Sequence, residues 1–256
     1  MQKLGNNTKT AKAPDGIKNF IMHLSPAKKV RQLAEQPQAQ ELLLKRLGRR
    51  PSTEEINSLA RANTCPWAGA CEEYCLDTSG HGQRNTVQNA RIAKTAHLYI
   101  DKETFTLELQ KEIAGKFKYH ERKGNKLAIR LNGTSDLDFL ETIALFPGVQ
   151  FYDYSKDPNR FKAFLKGELP SNYHLTFSYD RDQQRKSFAD YHGMIFQFME
   201  QGGNIAIIQK DYDNVLKQCP SCSLEPTIDG DKHDVRFLDG NQGAFVILQP
   251  KGKAKK

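Results

Sequence analysis

The sequence lacks the features that would place a protein in a membrane or direct it out of the cell. No run of about 18 apolar residues, the length that spans a bilayer as a helix, occurs in the 256 residues. The first residues show no basic segment followed by a long apolar stretch, which is the pattern of an export signal. We therefore expect no membrane contact and a reducing compartment, in which disulfide bonds are rare.

Cysteine is scarce, and three of the five cysteines lie close together in the pattern C-x5-C-x3-C. These are Cys65, Cys71 and Cys75, and no fourth ligand follows at a regular zinc-finger spacing. Three neighbouring thiolates can bind a metal or an iron–sulfur cluster and leave one coordination position open, as catalytic sites do. Two other interpretations stay open: reduced cysteines buried in a core, or a disulfide.

The charge is unbalanced towards Lys and Arg, with a formal net charge of +8, which permits contact with nucleic acid. Residues 26–62 have helix-forming composition and apolar spacing, and they carry many of the basic residues. These are Lys28, Lys29, Arg31, Lys45, Arg46, Arg49 and Arg50. They form either a solvated helical face or a contact to phosphates.

Apolar runs and helix-like segments alternate along most of the chain. Strands are predicted at 17–24, 126–131, 149–154, 173–178, 204–210 and 243–248, and the intervening helices include a long one at 182–201. This alternation indicates parallel β/α units. The sequence therefore predicts an α/β fold, a partial or complete (β/α) barrel over residues 17–252 with a helical insertion at 26–62. A flexible arm at 1–16 and a basic tail at 253–256 flank it.

Polar residues follow the predicted strands where a parallel sheet or barrel carries its functional groups. We expect five of them to bind a cofactor or substrate: Asn132, Ser135, Asp136, Asp153 and Lys156.

A dense polar segment precedes the last predicted strand. Within residues 229–239 we expect Asp231, His233, Asp234 and Arg236 to act as catalytic residues that close the site. Alternation along an extended segment would place Asp231 and His233 on one face and Asp234 and Arg236 on the other, so all four line one site only if the backbone turns at Gly230 or kinks near His233. The alternative is a charged hairpin, because Asp-Gly pairs are common in turns. Cys219 and Cys222, a lone C-x2-C pair, indicate zinc, a second cluster or an ordinary loop.

Four stretches together resemble a bacteriophage protein family known as gene product eighty-eight. They are residues 64–75, 130–136, 151–156 and 229–237, and the resemblance extends over residues 64–252. It implies a phage origin and a shared fold, and hence action in the cytoplasm of the infected host.

The layout is also similar to that of radical S-adenosylmethionine enzymes. In those enzymes three cysteines after the first barrel strand hold a [4Fe–4S] cluster whose open iron binds the cofactor. Their usual spacing is C-x3-C-x2-C, from which this sequence departs, although Tyr74 matches the aromatic residue often found before the last cysteine. The resemblance implies a [4Fe–4S] cluster on Cys65, Cys71 and Cys75, with S-adenosylmethionine beside the strand end at 132–136.

The sequence thus predicts a phage enzyme with a cysteine-bound metal centre that acts on a nucleotide or nucleic acid. Two alternatives belong to other classes. One is a base-exchanging nucleic-acid transglycosylase on a similar barrel, with an Asp nucleophile and structural zinc. The other is a non-enzymatic, metal-stapled DNA-binding protein that acts through the basic helices.

Overall fold

A mostly parallel β-sheet organises the chain. The computed structural model describes residues 2–6, 10–30, 36–69, 75, 77 and 80–250, and within them eight strands form one sheet. The strands are β1 (Leu4–Gly5), β2 (Ile17–Met22), β3 (Lys126–Arg130), β4 (Gln150–Ser155), β5 (Tyr173–Ser178), β6 (Ile205–Ile208), β7 (Thr227–Asp229) and β8 (Phe245–Leu248).

The strand order is β1-β2-β3-β4-β5-β6-β8-β7, and only β1 runs antiparallel to its neighbour. From β2 to β6 the spatial order follows the chain, so each connection returns to the adjacent position in the sheet. The described strands leave β1 and β7 as separate edges. The sheet is therefore open, and the complete barrel that the sequence allowed is not formed.

Ten α-helices accompany the described strands. They are α1 (Ala27–Val30), α2 (Pro37–Leu47), α3 (Thr53–Ser58), α4 (Asn85–Ile100), α5 (Lys102–Glu121), α6 (Leu140–Ala144), α7 (Pro158–Leu165), α8 (Arg181–Lys186), α9 (Phe188–Glu200) and α10 (Gln209–Gln218). None of the helices in this part of the chain is long and apolar enough to cross a membrane.

The helix predicted over residues 182–201 is two helices, because Ser187 adopts extended backbone angles and its side chain caps α9 by accepting from the N–H of Asp190. The strand predicted at 204–210 ends at Ile208, because α10 begins at Gln209.

The main hydrophobic core lies between the sheet and helices α4–α7, α9 and α10, and we call this side of the sheet the helix face. On β4, Phe151 packs into this core, whereas Tyr152 packs on the other side with Val235 and Phe237. Successive side chains of a strand point to opposite faces, so Asp153 lies on the helix face and Tyr154 on the other. We call this second side the polar face, because buried polar side chains such as Asn19, Thr176 and Asp234 lie on it.

Residues 3–5, in the segment predicted as a flexible arm, are fixed to the body of the protein. Strand β1 pairs with the end of β2. The backbone N–H groups of Lys3 and Leu4 donate to the carboxylate of Glu112 on α5. The Lys3 side chain is buried, with its Nζ 2.5 Å from Oε2 of Glu108. These long-range contacts hold a segment whose composition alone indicated mobility.

Candidate functional site at the carboxyl edge of the sheet

The start of the cysteine loop lies over the carboxyl ends of β2 and β3. The Asp136 N–H donates to the Thr64 carbonyl at 2.8 Å, and the Thr64 hydroxyl donates to the carbonyl of Ser25, just beyond β2. The Cys65 Sγ donates to the Thr134 carbonyl at 3.7 Å. The contacts of Thr64 and of the Cys65 side chain thus fix the position of Cys65 at the edge where parallel sheets bind ligands.

The same loop reaches the end of β5. Gly69 stands so close to Asp180 that a Cβ at this position would lie 2.7 Å from Oδ2 of Asp180, so only glycine fits without displacement. Lys156, which follows β4, donates from Nζ to the Tyr179 carbonyl at 2.9 Å and lies 3.8 Å from Oδ2 of Asp180. The loop therefore spans the ends of β2 to β5.

A second glycine, Gly133, allows the chain after β3 to lie close to the end of β2. The Gly133 N–H donates to the Met22 carbonyl at 3.0 Å, and a Cβ on Gly133 would lie 2.6 Å from that oxygen. The glycine of the Asn-Gly-Thr-Ser-Asp stretch is thus required by the close approach of two backbones.

Asp136 is the centre of one buried network at this edge. Its carboxylate accepts from the Ser155 hydroxyl at 3.0 Å, from the Lys156 N–H at 2.9 Å and from Nη1 of Arg160 at 3.0 Å. Burial raises the pKa of Asp136, and the Arg160 charge opposes that rise. The carboxylate ties the ends of β3 and β4 to the first turn of α7.

Asp153 is the centre of the adjoining network. It accepts from the Asn132 N–H at 2.7 Å, from the Asn132 side chain at 3.2 Å and from the Tyr173 hydroxyl at 3.1 Å. Ser135 in turn donates to the Asn132 side-chain oxygen at 2.8 Å. Burial raises the pKa of Asp153 to about 6, although the charge of Arg130 opposes the shift. The structure therefore brings all five residues predicted to bind a cofactor to one edge, where most of their polar atoms bond to each other.

An open cleft of about 500 Å³ lies at this edge beside the Asp136 network. Pro66 and Trp67 of the cysteine loop form one side, and Trp67 is 42% exposed. Asp157, Asn159 and Arg160 at the start of α7 contribute to the lining. The sequence analysis missed Trp67 and Arg160. The only tryptophan of the chain, next to a proline inside the cysteine motif, was a signal for the first, whereas nothing in the sequence marked the second.

Two of the four predicted catalytic residues are buried on the polar face. Asp234 accepts from the Tyr152 hydroxyl at 3.0 Å, and Nη1 of Arg130 lies 3.5 Å from its carboxylate. Arg236 is fully buried and donates from Nη2 to the carbonyl of His233 and contacts His233 Nδ1 at 3.0 Å. His233 accompanies them, partly exposed at the margin of this cluster.

Asp231 does not join that cluster. It lies at the sheet edge, where its Oδ2 accepts from the Gln249 N–H at 2.8 Å. The segment is not extended, because the chain turns after β7 and forms a 3₁₀ turn at Arg236–Asp239. As a result Asp234, Val235 and Arg236 are consecutive and all buried.

The predicted catalytic and cofactor-binding groups lie on opposite faces of β4. Asp153 is on the helix face, whereas Tyr152 and Tyr154 on either side of it contact the group around Asp234. The described contacts thus form two separate clusters.

The cysteines are only partly described. Cys65 and Cys75 are half-buried, whereas Cys71 lies outside the described residues. Among the residues that the structure describes, no group of three or more His, Cys, Asp or Glu side chains has a metal-binding arrangement. Cys219 and Cys222 are bonded to each other.

Several basic residues of the helical segment 26–62 already have acidic partners within the chain. Arg46 pairs with Glu108, Lys29 lies 2.6 Å from Asp77, and Arg49 lies 2.6 Å from Glu55.

An open, mostly parallel sheet with a cysteine loop and a buried polar framework at its carboxyl edge defines an α/β protein, and in open α/β sheets the carboxyl edge is where ligands generally bind. The chain belongs to the family described as gene product 88, which it matches over residues 6–256. This confirms the family resemblance of the four stretches and supports a bacteriophage origin. No curated protein and no solved structure matches the chain.

Proposed function

We propose that this protein is an enzyme that binds a metal centre on Cys65, Cys71 and Cys75 and acts on a nucleotide or nucleic acid in the cytoplasm of the infected host. The centre we propose is a [4Fe–4S] cluster used with S-adenosylmethionine. The observation that carries the proposal is the position of the cysteine loop over four successive parallel strand ends.

The donor set fits a thiolate-bound centre. Cys65 and Cys75 are half-buried, and the Cys65 thiol lies at the carboxyl edge of the sheet, where it contacts the Thr134 carbonyl. Metal binding would deprotonate the thiols, since the thiolate is the ligand. When bound, a cluster with three thiolate ligands would supply an electron and one open iron position for the cofactor.

The strand order supports the same proposal. Five parallel strands, β2 to β6, follow one another in chain order, and β8 continues the sheet. This is the order of a (β/α) barrel that has been opened, so we propose a partial barrel with the cysteine loop after its first parallel strand.

The chain's own residues would position the ligands. Asp136 and Asp153 hold the strand ends in place, and Asp153, whose pKa is about 6, can hold or release a proton near neutral pH. The exposed face of Trp67 suits a planar base that enters the cleft.

The transglycosylase alternative is less well supported. A carboxylate nucleophile must be ionised, whereas burial raises the pKa of Asp136 and of Asp153. The DNA-binding alternative needs cations available to phosphates, and the pairing of Arg46 and Arg49 with carboxylates opposes it.

Anaerobic purification of the protein with iron supplied tests the proposal. We expect a brown protein with a visible iron–thiolate absorption band, and loss of most of the iron in Cys65→Ala, Cys71→Ala and Cys75→Ala. Cys219→Ser is the matched control and should retain the iron. A colourless protein that contains zinc would favour the alternatives, and full iron in Cys71→Ala would exclude the three-cysteine site.

The cofactor is tested separately. The iron-loaded protein, reduced with dithionite, should cleave S-adenosylmethionine, and the Cys65→Ala variant should not. A cluster without cleavage would retain the metal centre and exclude this cofactor.

A further inference from the structure

The polar face contains buried polar atoms that have no hydrogen-bond partner among the described residues. Six of them come from five side chains of β3, β4, β5 and the 3₁₀ turn that covers these strands. They are Arg130 Nε, Tyr154 OH, His174 Nε2, Thr176 Oγ1, Arg236 Nε and Arg236 Nη1. Buried polar groups are nearly always paired, so a cluster of unpaired ones indicates a missing partner.

These atoms come from side chains that surround Tyr154. Arg130 lies over its ring, with Cζ 4.5 Å from the ring centre. Thr176 is the register partner of Tyr154 on β5, and His174 precedes it by two residues on the same face. The charge of Arg236 acts on both Tyr154 and His174. The unpaired atoms therefore belong to one region of the polar face.

Most of the unpaired atoms in this region are hydrogen-bond donors. The three guanidinium nitrogens can only donate, and the two hydroxyls and the imidazole can donate or accept. One unpaired atom in the group, Oδ2 of Asp239, can only accept; it lies 3.2 Å from Nη1 of Arg236 as an ion pair without hydrogen-bond geometry. A partner for this set must therefore be rich in acceptors.

Two carboxylates, Asp234 and Asp239, offset the positive charge of the region, but most of the unpaired atoms there are still hydrogen-bond donors. Asp234 is engaged by Tyr152 and Arg130, and Asp239 balances Arg236. A ligand in this region would therefore be held by directed hydrogen bonds more than by net charge. The planar guanidinium group is well suited to bind an oxyanion in this way. Arg130 and His233 keep small exposed fractions, 14% and 17%, so the region reaches solvent at two points.

We propose that Arg130, Arg236, His174, Thr176 and Tyr154 form a binding site for a phosphoryl group. The inference that this phosphate belongs to a nucleotide substrate rests on the proposed function, whereas phosphate binding itself does not. The site lies on the opposite face of β4 from Asp153, and no described residue of the cysteine loop contributes to it.

The test measures binding of inorganic phosphate to the full-length Cys65→Ala protein, so that metal loading cannot affect the result. Titration calorimetry and thermal unfolding at constant ionic strength should both show saturable binding. Thr176→Val and Tyr154→Phe preserve shape and each remove one hydroxyl, and each should weaken binding about three- to tenfold. Tyr173→Phe, on the helix face, is the matched control and should bind as the parent does.

Arg236→Met should weaken phosphate binding more than tenfold. If Arg236→Met does not fold, Thr176→Val and Tyr154→Phe test the proposal. Absence of saturable binding, or equal binding by all variants because the ion is adventitious only, would overturn the proposal. Adenosine monophosphate is the second ligand. Tighter binding than phosphate supports the nucleotide assignment, and phosphate binding without nucleotide binding restricts the site to the free ion.

Discussion

The two faces of the sheet around β4 both carry buried polar groups. Those on the helix face are hydrogen-bonded, whereas several on the polar face have no hydrogen-bond partner among the described residues. On the helix face, the carboxylates of Asp136 and Asp153 each accept three hydrogen bonds from neighbouring strands, loops and α7. On the polar face, the hydroxyls of Tyr154 and Thr176 and the Nε2 of His174 are buried and have no hydrogen-bond partner among the described residues.

The difference separates a structural role from a binding role. A fully paired network stabilises one backbone arrangement and has little capacity left for a ligand. An unpaired buried group costs free energy that a ligand can recover. The helix-face residues therefore form the framework that holds the cysteine loop, and the polar face keeps its capacity for a ligand.

The largest effect should come from removing the Asp136 carboxylate. Asp136→Ala leaves the largely buried Arg160 charge with the more distant Asp157 carboxylate, 3.9 Å away, and removes an acceptor from three donors. We expect a decrease in the free energy of unfolding of about 3 kcal/mol or more, the usual result of breaking a buried ion pair from one side. Chemical denaturation measures it.

Glu141→Ala is the control for Asp136→Ala, because Glu141 is an exposed acid on the neighbouring α6. We expect it to change the stability by less than about 0.5 kcal/mol. Equal effects of the two variants would show that the Asp136 network is not a framework.

His174 should make stability depend on pH from the polar face. Burial, followed by the charge of Arg236, lowers the pKa of His174 from 6.5 to about 4. Its contribution is complete above the unfolded pKa and is lost as the pH falls from about 6.5 to 4, by about 3 kcal/mol. The stability of wild type minus that of His174→Gln should therefore fall on acidification. Thr176→Val, which removes no titrating group, should not alter this profile.

Asp153 should produce the opposite dependence from the helix face. Burial raises its pKa from 3.8 to about 6, so the folded state binds the proton more tightly than the unfolded state. This contribution is present below about pH 4 and is lost as the pH rises to about 6, by about 3 kcal/mol at most. The stability of wild type minus that of Asp153→Asn should decrease over that range. A flat difference would mean that the carboxyl is solvated and that the two faces titrate alike.

Six of the eight described strands were predictable because they are largely buried, which produces short runs rich in apolar and aromatic residues. The edge strands β1 and β7 were not predicted, since each is only two or three residues long. Strand β5 has the bounds that the sequence indicated, Tyr173–Ser178. The edge residues Asn132 and Asp153 could be predicted for a related reason, since carboxyl ends of parallel strands share an edge.

Other features depend on partners far away in the chain and could not be predicted. Arg160 meets Asp136 across 24 residues, and Arg236 acts on His174 from another element. No local pattern records such pairs. In the segment at 229–239 strand alternation could not assign side chains to faces, because the backbone turns into a 3₁₀ conformation.

The smallest and most direct test replaces one hydroxyl on each face. Tyr173 donates to Asp153 at 3.1 Å, whereas the Tyr154 hydroxyl has no partner among the described residues. We expect Tyr173→Phe to reduce the free energy of unfolding by about 1–2 kcal/mol, because it removes a hydrogen bond to a carboxylate. In phosphate-free buffer, Tyr154→Phe should be neutral or slightly stabilising, since it removes a buried polar group that is unpaired and keeps the ring under Arg130. Tyr173→Phe should also raise the pKa of Asp153 above about 6, because the Tyr173 hydroxyl is one of the groups that hold it down. Carboxyl NMR titration would measure this shift. Equal losses of stability in the two variants would mean that Tyr154 has a partner and that the two faces are paired alike.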